Sequence, residues 1–287
     1  MPELPEVEHQ ARFLRRLLLN RKITRAEASP TQVLQGKTTS VSFAEALSGR
    51  HVSAIERVGK FLILRLDSSF VLLSHLGMTG RWVARSSTDP STPHTRATLF
   101  LEDEAVFRYV DRRMLGRLEI VAEADLAKHK SLASLGPDPL LDGVDVARLS
   151  TLLSATRRPI KAVLMDAKII AGIGNIQATE ALFRARVHPQ RQASSLSKDE
   201  IAAIADGILA TIEHTLAAHA HEDEIVYLSD RRDVKNPFLV YGRVNEACSR
   251  CRAPISTVVV AMRSSAFCPS CQPATRAATR SALQRGR

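Results

Sequence analysis

The C-terminal part of the chain reads Cys248-Ser249-Arg250-Cys251 and, after 16 intervening residues, Cys268-Pro269-Ser270-Cys271. Each CxxC pair can hold one edge of a zinc ion, and two pairs at this spacing are typical of a four-thiolate site. Four sulfur ligands leave no open coordination position, so a zinc ion bound here would be structural rather than catalytic. The valine-rich segment between the pairs predicts a β-hairpin, and the arginines of this region could face phosphates: Arg250, Arg252 and Arg263.

A glycine-containing turn, Gly172-Ile173-Gly174-Asn175, lies upstream between two segments with helical patterns. Asn175 is placed to cap the second helix, and a helix N-terminus after such a turn can bind a phosphate group. A packing corner between two helices gives the same pattern, so the turn alone is weak evidence for a binding site.

The chain begins Met1-Pro2-Glu3-Leu4-Pro5-Glu6. Removal of Met1 would leave Pro2 with a secondary amine, which can attack the aldehyde carbon of a sugar and form an iminium ion. Glu3 would then lie close enough to move protons. The same residues also suit the first turn of a helix, where proline and glutamate are both favoured. The N-terminus taken alone leaves both interpretations open.

The composition narrows the class of protein. The chain has 287 residues, enough for two domains, and its 40 Lys and Arg against 30 Asp and Glu give a net charge of +10. A polyanion such as nucleic acid is therefore the expected partner. The sequence shows neither a run of 18 apolar residues nor a signal-peptide pattern, so we expect a cytoplasmic protein that does not enter a membrane.

The pattern of residues changes along the chain. Helical spacing starts at Val7, β-rich segments follow between residues 51 and 121, and helical segments follow a turn-rich stretch at residues 135–140. We therefore expect an α+β protein with an N-terminal antiparallel β-sandwich and a leading helix. The expected parts are residues 1–132 for the sandwich, 133–235 for a helical domain that ends in a mobile polar loop, 236–273 for the zinc hairpin and 274–287 for a disordered basic tail.

Four motifs occur together along the chain: Pro2-Glu3-Leu4-Pro5-Glu6-Val7-Glu8, His75-Leu76-Gly77-Met78-Thr79-Gly80, the Gly172 to Asn175 turn and the paired CxxC sequences. With these motifs the chain resembles the formamidopyrimidine-DNA glycosylase and endonuclease VIII-like family, over residues 2 to about 271. The resemblance implies a helix-two-turns-helix domain and a four-cysteine zinc-finger hairpin that holds one structural zinc ion. It also implies a monomeric base-excision-repair enzyme associated with the nucleoid.

The resemblance implies a bifunctional enzyme. Such an enzyme removes oxidised purines, 8-oxoguanine and formamidopyrimidine, from duplex DNA and then cleaves the abasic site by β,δ-elimination. By position, Pro2 would be the nucleophile and Glu3 the acid/base group, while Glu6 matches a further carboxylate or serves as a helix N-terminal charge. Lys60 and Arg263 would contact phosphate and assist catalysis. Four further side chains would bind DNA: His75, Asn175, Tyr241 and Arg157, of which Arg157 stands in place of a lysine.

Three side chains match the family's wedge, which fills the gap left by a flipped nucleotide: Met78, Arg113 and Leu115. Leu115 replaces the usual phenylalanine and offers no ring for stacking. Gln177 stands where the family has a tyrosine, and the segment 219–240 has no counterpart to the family's glycine-threonine-lysine loop. These departures leave two alternatives open: an endonuclease VIII-like specificity for hydantoins or oxidised pyrimidines, or a catalytically weak damage-binding protein. A third alternative is an unrelated zinc-ribbon nucleic-acid binder whose N-terminus matches the family by chance.

Overall fold

The computed structural model of the protein describes residues 2–220, 224–225 and 236–274. These residues form two compact units. The first contains residues 2–134 with 219, 220, 224 and 225, and the second contains residues 135–218 with 236–274. The expected basic tail beyond residue 274 and the polar loop at 230–235 lie outside the described residues, as do four side chains of the divergent segment: Glu222, Asp223, Arg231 and Arg232.

The first unit begins with helix α1, Leu4–Leu18. Pro5 suits the first turn of this helix because the N–H that proline lacks has no partner there. The apolar face of α1 recurs at helical spacing and is buried: Val7, Ala11, Leu14 and Leu18. This packing fixes the position of Pro2 and Glu3, which immediately precede the helix.

Eight strands follow α1, and two shorter helices accompany them. The elements are β1 Lys22–Ala28, α2 Ser40–Leu47, β2 Arg50–Val58, β3 Phe61–Leu66, β4 Phe70–His75, β5 Arg81–Ser86, β6 Thr95–Leu101, β7 Ala105–Val110, β8 Arg117–Ala122 and α3 Glu123–Leu126. The β-rich pattern predicted the region of β2 to β8. It did not predict β1 and α2, because charged side chains interrupt the alternation in β1 and α2 is only 8 residues long.

The strands hydrogen-bond in the order β5-β7-β6-β1-β2-β3-β4-β8, and all neighbours in this order are antiparallel. β1 and β2 pair only at Lys22 with His51 and at Ile23 with Arg50, so a narrow strip joins two halves of the sheet. Buried side chains from both halves and from α1 and α2 share one hydrophobic core. The expected fold class, α+β with an N-terminal antiparallel sandwich, is confirmed.

The second unit is helical. Its helices are α4 Val146–Ser154, α5 Ile160–Leu164, α6 Asn175–Arg184 and α7 Lys198–Ala218, with a short 3-10 helix at Ala193–Ser195. Helix α7 is long and apolar enough to cross a membrane, but its apolar face is buried against the rest of the unit: Ile201, Ile204, Ile208 and Ile212. The prediction that Asn175 caps α6 is wrong by one residue, because Gly174 occupies the cap position and Asn175 begins the helix.

The hairpin consists of strands β9, Ser256–Val260, and β10, Arg263–Phe267, which pair antiparallel. Its base packs against α6 through a small apolar cluster: Phe183, Val240, Cys248, Ile255, Ala266 and Cys268. The hairpin is therefore attached to the unit by packing as well as by its cysteines.

Candidate functional site

Two carboxylates lie at the start of α1. Pro2 and Glu3 are buried, and Glu6 Oε2 accepts a hydrogen bond from the Glu3 backbone N–H at 2.8 Å. Burial raises the pKa of Glu6, and the charge of Glu3 raises it further, while the Glu3 N–H and the nearby His219 act in the opposite direction. His219 Nε2 lies 4.0 Å from Glu6 Oε1. Buried carboxyl groups with shifted pKa values concentrate at functional sites, so this cluster is a candidate for proton transfer.

His75 ends β4 and is held as a neutral imidazole. Burial and, to a smaller extent, the positive charges of Lys60 and Arg117 together lower the pKa of His75 to about 4. Nδ1 of His75 accepts a hydrogen bond from the Gly77 N–H at 3.1 Å, so the ring proton resides on Nε2. His75 can therefore offer an N–H donor to a phosphate oxygen but no positive charge.

Lys60 lies in the turn between β2 and β3, where the preceding Gly59 adopts a positive φ of 57°. The side chain of Lys60 is half-buried, and its charge acts on His75. The first unit thus brings together one cation and one neutral donor of the predicted site.

The three residues predicted to form a wedge lie on two loops that Asp111 joins. The fully buried Asp111 accepts hydrogen bonds from Thr79 Oγ1 at 2.6 Å, from the Arg113 N–H at 3.1 Å and from the Gly116 N–H at 2.7 Å. Leu115 is 43% exposed rather than packed in the core, and Met78 is half-buried. The structure brings all three wedge residues to these two loops.

Glycines allow the two loops to approach each other. Gly77 has a φ of +63°, and a Cβ on it would overlap the backbone of Leu115. A Cβ on Gly80 or Gly116 would overlap the hydroxyl of Tyr109, which donates a hydrogen bond to the His75 carbonyl at 3.2 Å. The lack of a side chain at these glycines therefore allows the close packing of the two loops against each other and against Tyr109.

In the second unit Lys161 links α5 to α6 and to the hairpin. Its ammonium group donates to Asn175 Oδ1 at 2.7 Å, to the Ser264 carbonyl at 3.2 Å and to Ser265 Oγ at 2.6 Å. Ser264 follows Arg263 directly in the chain, so this fully buried lysine holds two predicted DNA-binding residues at one place. The sequence analysis missed Lys161, although a lysine inside the apolar run Ile160-Lys161-Ala162-Val163-Leu164 was a signal.

Tyr241 is positioned by Glu180, a second buried charge that the sequence analysis missed. The Glu180 carboxylate accepts hydrogen bonds from the N–H groups of Leu239 at 2.9 Å, Val240 at 2.9 Å and Tyr241 at 2.8 Å. Three backbone donors on one carboxylate fix the path of the segment that carries Tyr241.

The remaining predicted residues fall into two groups. Arg157 and Arg263 have exposed side chains, as contacts to DNA require. Arg250 cannot face phosphates as expected, because its guanidinium lies over the Phe183 ring at 4.5 Å and donates to the Phe183 carbonyl at 2.7 Å. Gln177, in place of the family tyrosine, is buried and donates to Thr215 Oγ1 at 3.0 Å, so it ties α6 to α7.

The four cysteines converge. The sulfur atoms of Cys248, Cys251, Cys268 and Cys271 all lie within 4.8 Å of one another, with 3.9 Å between Cys248 and Cys271 and 3.4 Å between Cys251 and Cys268. Four thiolates at about 2.3 Å from a tetrahedral zinc ion lie about 3.8 Å apart, so these residues fit the ion. The backbone N–H groups of Arg250 and Cys271 donate to the sulfur atoms of Cys248 and Cys268, respectively, and so orient them. The expected single structural zinc ion is confirmed.

Family models match three parts of the chain. The formamidopyrimidine-DNA glycosylase N-terminal domain matches residues 1–118, the H2TH domain of that enzyme matches residues 135–225, and a zinc finger found in FPG and IleRS matches residues 245–274. The formamidopyrimidine-DNA glycosylase of Desulfitobacterium hafniense is 37% identical over 274 residues, which cover 95% of this chain and 100% of the relative. That of Moorella thermoacetica is 38% identical over 260 residues, which cover 90% and 94%.

Solved structures of the Lactococcus lactis formamidopyrimidine-DNA glycosylase share the fold at 29% identity, over 95% of this chain and 100% of theirs. The TM-score is 0.83 for the enzyme bound non-covalently to DNA with an AP site and 0.86 for its complex with DNA containing N7-benzyl-Fapy-dG. It is 0.85 for a complex with DNA containing an oxidised pyrimidine.

Proposed function

The chain belongs to the formamidopyrimidine-DNA glycosylase family, which acts in base-excision repair as a DNA glycosylase and abasic-site lyase, and we propose that its substrates are oxidised purines in duplex DNA. The specific substrates are 8-oxoguanine and formamidopyrimidine. The matched domains and the relatives' full-length similarity support this activity. The observation that carries the chemistry is the burial of Pro2 and Glu3 beside Glu6, whose carboxylate accepts a hydrogen bond from the Glu3 N–H.

The proposed reaction starts after removal of Met1. The amine of Pro2 forms a bond to the sugar carbon C1′ while the bond from C1′ to the damaged base breaks and its electron pair leaves with the base. Glu3 accepts the proton that the amine loses and returns it to the ring oxygen. The sugar ring then opens, and an iminium ion joins Pro2 to C1′. Loss of a proton from C2′ expels the 3′ phosphate, and loss of a proton from C4′ expels the 5′ phosphate, which completes the β,δ-elimination. Water then hydrolyses the iminium ion and regenerates the Pro2 amine.

The proposed DNA contacts divide into charged and neutral ones. Lys60, Arg157 and Arg263 neutralise phosphates, and His75 donates through its Nε2 proton. Asn175 and Tyr241 add neutral donors, held in place by Lys161 and Glu180 respectively. Contacts to phosphate position DNA without reading its sequence, as an enzyme that searches for damage at any sequence requires.

The damaged nucleotide is proposed to leave the stack before reaction. Met78 and the exposed Leu115 then fill the vacated space, and Arg113 faces the orphaned base. We expect the protein to act as a monomer inside the cell, where its DNA substrate is.

A second candidate function is an endonuclease VIII-like activity on hydantoins or oxidised pyrimidines. Leu115 favours it, because an aliphatic wedge places no stacking demand on the neighbouring base. A Lactococcus lactis relative has also been captured with an oxidised pyrimidine in its DNA.

A nicking panel tests these assignments. Duplexes carrying 8-oxoguanine, formamidopyrimidine, a hydantoin or thymine glycol are incubated with the mature protein, and covalent complexes are trapped with borohydride. We expect cleavage and trapping with the two oxidised purines. Cleavage of thymine glycol alone would overturn the purine assignment, and binding without any cleavage would indicate a damage-binding protein.

The role of Pro2 has its own test. An N-terminally extended protein with Gly-Ser before Pro2 has no amine at that position, so trapping should fall to background. Pro2→Gly should trap and cleave far more slowly, whereas Pro5→Ala, which changes a nearby proline in α1, should leave trapping intact. Normal trapping by Pro2→Gly and by the extended protein would refute the proposed nucleophile.

A further inference from the structure

His219 lies against the carboxylate of Glu6. Its Nε2 atom is 4.0 Å from Glu6 Oε1, and the side chains of His219 and Glu6 are only 13% and 8% exposed. The ring of His9, three residues after Glu6 on α1, has its centroid 5.8 Å from that of the His219 ring. Two imidazoles and the two carboxyl groups of Glu3 and Glu6 therefore occur together at the start of α1.

His219 is the first residue of the segment 219–240, in which the chain has no counterpart to the family's glycine-threonine-lysine loop. The structure places it in the first compact unit, together with α1 and the preceding Pro2 and Glu3. No local pattern in the sequence marks this histidine, because its partner lies near the other end of the chain. A residue of the divergent segment thus contacts the proposed catalytic end of α1.

The two oxygens of Glu6 face different neighbours. Oε2 accepts the hydrogen bond from the Glu3 backbone N–H at 2.8 Å, while Oε1 faces His219. An ionised carboxylate accepts a stronger hydrogen bond than a protonated one. The protonation state of Glu6 therefore controls how firmly the backbone of Glu3 is held.

The groups around Glu6 act on its charge in opposite directions. Burial and the charge of Glu3 raise the pKa of Glu6, whereas the hydrogen bond from the Glu3 N–H and the positive charge of His219 lower it. His9 faces His219 from α1, so a positive charge on His9 would oppose protonation of His219. Of these side chains, only a protonated His219 supplies a positive charge directly beside the Glu6 carboxylate.

We propose that His219 is a positioning residue of the reaction: in its protonated form it keeps Glu6 ionised, and ionised Glu6 holds Glu3 where it moves protons. This inference rests on the proposed function, which gives Glu3 the acid/base role. A histidine gains its proton as pH falls below neutral, where a buried carboxyl group would otherwise become protonated. The pair therefore extends toward acidic pH the range in which Glu3 is firmly held.

The pH dependence of cleavage tests the proposal. His219→Gln keeps a hydrogen-bond donor beside Glu6 but cannot carry a charge. Single-turnover cleavage is measured from about pH 5.5 to 8.5, with a lesion duplex that the unmodified protein cleaves in the nicking panel. We expect equal rates at the alkaline end and about tenfold slower cleavage by the variant at the acidic end, which corresponds to a rise of about one unit in the pKa of Glu6.

Two further variants separate charge from packing. His219→Lys retains a positive charge, so at acidic pH it should cleave faster than His219→Gln and close to the unmodified rate. His51→Gln is the matched control, since His51 also lies 3.0 Å from a carboxylate oxygen, of Asp67, but is 50% exposed on β2. It should leave the pH profile unchanged. A loss of rate by His219→Gln that is equal at every pH, or that His219→Lys shares, would show a structural role and overturn the proposal.

A titration of the free protein distinguishes this inference from the proposed function. The carbon-13 chemical shift of the Glu6 carboxyl group follows its protonation and needs no DNA. We expect the titration midpoint to rise by about one pH unit in His219→Gln and to stay unchanged in His51→Gln. An unchanged midpoint in His219→Gln would refute the inference even if the protein nicks DNA. A raised midpoint in a protein that cleaves no lesion would instead show that the contact exists and that the proposed activity fails.

Discussion

Lys161 shows how a single buried charge can organise a site. It is the only fully buried lysine among the described residues, and its three hydrogen-bond acceptors match the three N–H groups of an ammonium ion. Burial of an unpaired charge would be costly, so the lysine fixes Asn175 and the strand after Arg263 in one arrangement.

Replacement of this lysine tests its role. Lys161→Met should destabilise the protein by about 3 kcal/mol, because it leaves buried acceptors without a donor. DNA binding should weaken as well, since Asn175 and Arg263 lose their common support. Urea unfolding and DNA titration measure the two effects. The control is Lys168→Met, which changes an exposed lysine shortly after α5 and should affect stability little. Equal stability of the two variants would contradict the supporting role of Lys161.

Glu6 and Glu8 lie two residues apart, yet their charges have opposite effects on stability. Burial and Glu3 raise the pKa of Glu6. Burial alone would raise the pKa of Glu8 too, but hydrogen bonds from Arg57 and Arg12 and the charges of Arg57 and Arg15 outweigh it, so the pKa of Glu8 is lowered. Only Glu8 is stabilised in its ionised form.

The opposite directions of these two pKa shifts predict how stability depends on pH. The stability linked to Glu6 is present below the ordinary carboxyl pKa and is lost as pH rises through its raised value, so Glu6→Gln should raise the melting temperature at pH 7–8 and lose this advantage near pH 4. The stability linked to Glu8 is present at neutral pH and is lost as pH falls. Glu8→Gln should therefore destabilise at pH 7, by about 3 kcal/mol, because it leaves Arg57 buried without its carboxylate. Melting curves from pH 4 to 8 measure both effects, and a Glu6→Gln protein less stable than the unmodified one at pH 8 would contradict the prediction.

Among the elements of the second unit, helix α6 contacts several of the predicted DNA-binding parts. Asn175 is its first residue, and Glu180, one and a half turns later, holds the segment with Tyr241. Phe183 near its C-terminal end receives the base of the zinc hairpin and the guanidinium of Arg250. One helix thus orders three parts of the chain that are distant in sequence.

Glu180→Gln should loosen the segment that carries Tyr241. An amide has a single acceptor oxygen, and its NH2 group would face a backbone N–H, so it cannot accept all three hydrogen bonds. We expect faster amide hydrogen exchange at Leu239, Val240 and Tyr241 and weaker DNA binding. Glu213→Gln, at an exposed position on α7, is the control. Unchanged exchange at the three amides would show that Glu180 is dispensable for this segment.

Across the whole molecule, the excess of basic residues predicts that DNA binding weakens as the salt concentration rises. Lys60, Arg157 and Arg263 are the three proposed cationic contacts, while His75 is neutral and contributes no charge. Each neutralised phosphate contributes about −0.9 to the slope of log K against log salt, so the slope should be about −3.

DNA titrations between low and physiological salt measure this slope. Arg157→Gln should make the slope shallower by about one unit. Gln177→Asn, which changes a buried neutral side chain, should leave the slope unchanged whatever it does to stability. A flat response to salt would count against the phosphate contacts as a group.

The zinc ligands, the fold class and the family could all be read from the sequence. The two CxxC pairs are local patterns whose spacing suits four thiolates on one shared ion, and the periodicity of α1 and α7 reports which face is buried. Strand β1 and helix α2 escaped prediction because their local patterns are weak and their pairing partners decide them.

What only the tertiary structure decided is which side chains support the site. Lys161 meets Ser265 across 104 residues of sequence, and Glu180 meets Tyr241 across 61, so no local pattern records either contact. The neutral state of His75 and the capture of Arg250 by Phe183 likewise depend on burial and on neighbours from other elements. Residue type and spacing therefore determined the chemistry that the chain can perform, whereas long-range packing determined which of those groups are charged, exposed and held in place, because solvation and charge pairing depend on neighbours in space.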